Sequence, residues 1–114
     1  MDESILNTIK RMLGIDSSCD AFDTDIIVFI NAALNQLSQC NVGDTDFCIS
    51  DASSVWRDYL NNRLNLQASI TYVYLYTRLL FDPPSNSFVS ESMKNQMEEI
   101  LWRLIVQTEV LNDV

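Results

Sequence analysis

Three cysteines, sixteen acidic residues and no histidine make up the chain's inventory for chemistry. Without histidine, the usual general base near neutral pH and the commonest metal ligand are both missing. A Ser-His-acid triad is excluded, and Ser53 and Ser54 have no histidine to activate them. Cys19, Cys40 and Cys48 contain no short CxxC pair, and an odd number does not close a disulfide framework. Three thiolates make at most an incomplete zinc site that needs a carboxylate as fourth ligand. Free thiols in a reducing compartment are the plainer reading. Carboxylate pairs occur at Asp23 and Asp25, Asp44 and Asp46, and Glu98 and Glu99. Hydrolytic work needs two such groups opposed across a pocket. Asp44 and Asp46 share a loop with Gly43, yet the run of oxygen ligands and the closing Glu of a calcium loop are missing. Gly14 and Gly43 stand too far apart to cradle a phosphate. The expectation is a protein with no catalytic residue, no cofactor and no metal.

Charge narrows the partners. Sixteen acids against seven bases leave a formal charge of −9. Binding to a nucleic-acid backbone relies on Lys and Arg displacing counterions, and this field repels phosphate and anionic membrane surfaces alike. The longest apolar run, Ile26 to Ile30, is far short of a membrane span. Met1 is followed by Asp2 and Glu3 rather than by a basic stretch, so a secretory signal is not expected and cytoplasm is the expected compartment.

The elements that would position any site are helices. Two glycines and two prolines in 114 residues are too few for the turns of a β-sandwich or barrel. The reading is all-α, a small bundle of four to five helices in one domain over residues 1–108, with a flexible acidic tail over 109–114. Ile5, Ile9 and Met12 or Leu13 recur at helical spacing over 4–13, with Lys10 and Arg11 in the last turn and Gly14 as a left-handed stop. Asp23 is expected to cap a second helix reaching Gln39, with Phe22 and Ile27 as a hydrophobic staple. Residues 41–50 read as a loop. Asp51 or Ser53 is expected to cap a short helix through Trp56 and Tyr59, before Asn61 and Asn62 interrupt the chain.

Residues 63–81 are rich in β-formers, with Tyr72, Tyr74 and Tyr76 alternating along them. About nineteen residues without a breaker, and Leu66, Ile70, Val73, Thr77 and Leu80 at helical steps, predict a long apolar central helix instead. Being apolar almost all round, it is expected to be central or shared between subunits, with Tyr72 and Tyr76 in the core or at a subunit interface. Asp82-Pro83-Pro84 ends it. A last helix is predicted from between Ser85 and Ser90 to about Gln107, with Met93, Met97, Ile100, Leu101 and Leu104 on its apolar side. Lys94–Glu98 and Glu99–Arg103 are expected as ion pairs on its flank. Arg78 and Arg103 lie within apolar faces, where a guanidinium seeks a carboxylate: Asp82 and Glu99 are one turn away.

The junction Arg78-Leu79-Leu80-Phe81-Asp82-Pro83-Pro84, followed by Ser87-Phe88 and Trp102-Arg103-Leu104, and the opening Ile5-to-Gly14 helix together resemble the tailed-phage head–tail connector, or neck adaptor, family. The resemblance runs over nearly the whole chain. It implies a structural virion protein made in the host cytoplasm and held in the virion neck. There about a dozen copies would form a ring under the portal protein, extend the DNA channel without sequence-specific binding, and receive the next neck or tail protein. It assigns structural or interface roles to Arg78, Asp82, Pro83, Pro84, Trp102 and Arg103. An acidic binding module, such as a DNA mimic that blocks a DNA-binding protein, also accounts for the charge. It leaves the tyrosine-rich helix and the junction unexplained.

Overall fold

The computed structural model describes residues 1–43, 46–60 and 65–112. These form five helices: α1 (Ile5–Met12), α2 (Asp23–Gln39), α3 (Trp56–Tyr59), α4 (Leu66–Phe81) and α5 (Ser87–Asn112). No strand is found among the described residues, only an isolated antiparallel bridge between Ser4 and Val55. The fold is all-α, as the scarcity of breakers predicts. Asp44 falls outside the described residues, as do Asn61 and Asn62, the start of the predicted 63–81 helix and the last two residues of the 109–114 tail.

α1 begins where Ser4 turns its hydroxyl to accept the Asn7 amide at 3.2 Å, and ends at Gly14, whose φ of +82° is the left-handed stop. Its stripe of Ile5, Leu6 and Ile9 is fully buried. α2 buries Ile26, Ile30, Ala33, Leu34 and Leu37, the face its spacing predicts.

The start of α2 departs from expectation. Phe22 occupies the cap position without a side-chain bond, and Asp23 is already inside the helix. Its carboxylate meets Lys10 Nζ at 2.8 Å instead. Lys10 is 1% exposed, and its ammonium also donates to the carbonyls of Cys19 at 2.6 Å and Ser17 at 3.3 Å. A buried cation needs a counter-charge far more than a helix end needs a cap, so Asp23 goes to the lysine. Phe22 packs edge-on against Phe81, centroids 5.5 Å apart.

The short α3 is placed by the chain's first residues. Ile5 N–H donates to Ser54 O, Trp56 N–H to Glu3 O and Arg57 N–H to Met1 O, at 2.8 to 3.2 Å. These bonds hold Val55 extended, so the helix starts at Trp56. Val55 N–H donates to Asp58 Oδ2 at 2.9 Å, so neither Asp51 nor Ser53 is the cap. Asp51 instead accepts from both the amide and the hydroxyl of Ser53, which holds its carboxyl below the usual range. Trp56 is buried with its indole N–H on Thr8 Oγ1 at 3.2 Å. The hydroxyl of Tyr59 lies 2.6 Å from Val42 O, 3.1 Å from Leu34 O and 3.3 Å from Ser38 Oγ.

α4 packs against α2, α5 and α1. Its Ile70, Tyr72, Val73, Leu75 and Thr77 are buried, and the residues that alternate like a strand are helical throughout. Short-range composition yields here to a rod that can bury several sides at once. α4 is sixteen residues long, whereas α5, at twenty-six, is the longest helix and runs past Gln107 to Asn112.

Candidate functional site

Two surfaces of the α4–α5 pair leave large apolar side chains uncovered. The first is a groove of about 600 Å³ between the helices, floored by Tyr72, Tyr76, Met97 and Leu101 and closed at one end by Leu80 and Pro83. Two elements explain it. The Pro83-Pro84 turn cannot continue α4, so the chain reverses, and Asn86 Oδ1 accepts the Phe88 amide at 2.8 Å to start α5. The helices then lie side by side without filling the space between them. Lys94 and Glu98, expected to pair along α5, stand apart on the groove's rim.

The second surface is the outer side of α5. Leu104 is fully buried and Met97, Ile100 and Leu101 pack against the core, so the predicted apolar side is the inner one. Phe88, Trp102 and Val106 lie about four and five whole turns apart and share the opposite side. Phe88 is 80% exposed, Trp102 65% and Val106 37%. Two large aromatic rings held in water are the kind of surface that marks a contact with another protein.

The residues singled out from sequence distribute as follows. Tyr72 is only 5% exposed and lies in the groove floor. Burial, reinforced by Tyr76 and Cys40, raises its phenol above the ordinary tyrosine value. Tyr76 is half-buried beside it, ring centroids 6.2 Å apart. Arg78 serves the helix end: its Nε donates to Asp82 O at 2.8 Å and one terminal nitrogen to the Tyr74 hydroxyl at 3.2 Å. The Asp82 carboxylate is farther, at 4.0 Å. Pro83 lines the groove end and Pro84 is half-buried behind it. Arg103 pairs with Glu99 beside Trp102, as expected, and both are exposed. The structure thus brings Tyr72, Tyr76 and Pro83 to the groove, and Trp102 and Arg103 to the outer face of α5.

The surface expected on α4 has moved. α2 and α5 together cover most of α4, so the most exposed aromatics are Phe88 and Trp102, and Leu80 alone of the predicted α4 stripe is exposed. The period of α5 marked the inner side, and the same period places Phe88 and Val106 with Trp102 on the other. Among the described residues no group of three or more acidic or cysteine side chains is placed to hold a metal ion. No helix among them is long and apolar enough to cross a membrane.

No curated protein and no solved structure matches the chain. A protein-family model described as phage connector protein matches residues 5–110, which takes in α1 to α4 and nearly all of α5. This match over almost the full length makes the chain a member of the phage connector protein family, a structural component of the phage particle.

Proposed function

We propose that this chain is the repeating subunit of a ring in the virion neck, seated under the portal protein and offering its far side to the next neck or tail protein. The observation that carries the reading is the outer side of α5: a connector-family chain that leaves Phe88 and Trp102 in water has apolar surface reserved for other subunits. A ring also gives the charge a use. About a dozen copies of a chain at −9 make a strongly acidic collar. An acidic lumen lets DNA pass without adhering, since no phosphate finds a Lys or Arg to neutralise it. A lumen lined with Lys and Arg contradicts that part of the reading. No chemistry is assigned to the subunit; its action is to close a channel and hold two larger parts together.

The test is native mass spectrometry of the chain alone and mixed with assembled portal. The reading predicts a complex carrying many copies of this chain per portal. A mixture in which portal and chain stay separate overturns it.

A further inference from the structure

We infer that the α4–α5 groove of one copy receives Trp102 of the next, so that the occupant of the groove is a second copy of this chain, joined head to tail. This assignment rests on the ring reading and specifies its contact.

Three observations carry it. The groove, at about 600 Å³, is wide enough for an indole and a second side chain, and its floor of Tyr72, Tyr76, Met97 and Leu101 suits an aromatic ring. The chain itself carries the matching projection, Trp102, 65% exposed on a rigid helix with Phe88 and Val106 along the same side. Charges on the two surfaces are complementary in sign and spacing. The groove rim has Lys94 followed one turn later by Glu98, and Trp102 is flanked by Glu99 followed one turn later by Arg103. Laid parallel, the two helices set Lys94 against the neighbour's Glu99 and Glu98 against its Arg103. Exposed pairs add little affinity, but they fix register and reject the reversed orientation.

Trp102 is exposed one turn beyond Glu98 and is not among the residues that line the groove of its own copy, so in this fold its ring is free to enter the groove of another. Each added copy leaves a free groove at one end and a free Trp102 at the other, which is the arrangement that closes into a ring or grows into a filament. The projecting side chains alone cover less than the roughly 800 Å² per partner of a stable pair. Association of two copies is therefore weak and gains from ring closure on a template.

The experiment uses two variants at exposed positions, chosen so that folding is spared: Trp102→Ala removes the projection and Leu80→Glu blocks the groove. Sedimentation velocity follows each alone and their equal mixture from about ten micromolar to about one millimolar, the range of weak contacts, with circular dichroism confirming helix content. Wild type is expected to associate beyond two copies, each variant to associate at least tenfold more weakly, and the mixture to form a pair that grows no further. Wild type that stays monomeric or stops at two, a variant that associates like wild type, or a mixture that stays monomeric each overturns the head-to-tail contact. The ring reading fails separately, if portal does not take up this chain at all; a ring that retains its copies with Trp102→Ala overturns only the contact.

Discussion

Lys10 shows how a single buried charge organises the N-terminal third. Its ammonium ties α1 to the start of α2 through Asp23 and holds the 17–19 backbone through two carbonyls. Lys10→Ala leaves Asp23 without its partner and opens a cavity, so a loss on the order of 3 kcal/mol is expected in urea unfolding. The figure stays at the low end for a broken buried pair because Asp23 keeps 28% of its side chain in water. Gly43 is a second fixed point. Its φ is +76°, and a Cβ there would lie 2.3 Å from the Tyr59 ring. Gly43→Ala combines left-handed strain with overpacking, for a loss of about 2–4 kcal/mol by the same measurement. Tyr72 supplies a pH signature. Burial raises its phenol, so the folded chain resists ionising it while the unfolded chain does not. That contribution is intact below the ordinary tyrosine value and fades as pH rises through the folded one. Tyrosinate absorbance during alkaline titration should show a late-titrating phenol that is missing from Tyr72→Phe. None of these roles shows in composition: a lysine in a last turn reads as a helix-dipole partner until the fold encloses it.

At the scale of elements, the legible parts were those fixed by local rules. The spacing of Ile26, Ile30, Ala33, Leu34 and Leu37 defined the buried face of α2, and the prolines at 83 and 84 defined the end of α4. Gly14 marked the end of α1. The errors came where a long-range contact overrode a local preference. Asp23 gave up the cap to serve Lys10, and α3 began at Trp56 because residues 1–5 hold Val55 extended. The segment before α3 depends on another distant contact. Asn31 on α2 donates to Ile49 O at 3.0 Å and accepts the Ile49 amide at 2.8 Å, as a neighbouring strand would. Asn31→Ala removes both bonds. Amide exchange at Ile49 and its neighbours should quicken by roughly tenfold, the effect of losing about 1.5 kcal/mol of local hydrogen bonding. Helices α1 and α5 should keep their protection.

At the scale of the molecule, the sequence pointed to surplus apolar surface but placed it on α4. A pattern apolar on nearly all sides says only that a helix must be covered, not by what. Here α2 and α5 of the same chain cover most of α4, and the most exposed aromatic rings appear on the outside of α5, at Phe88 and Trp102, beside the groove between α4 and α5. Reading that shift needs the packing of both helices at once, which periodicity of either one does not contain. The resemblance to the connector family rested on the Arg78-to-Pro84 junction and the helix pattern around it, and the family match over residues 5–110 bears it out. The central claim is that many copies of this chain form the collar between portal and tail. It is tested most directly by electron cryomicroscopy of the neck of assembled particles. The account predicts a closed ring of this five-helix subunit against the portal, with α5 of each copy against its neighbour. A neck in which portal meets tail with no ring of this chain between them contradicts it.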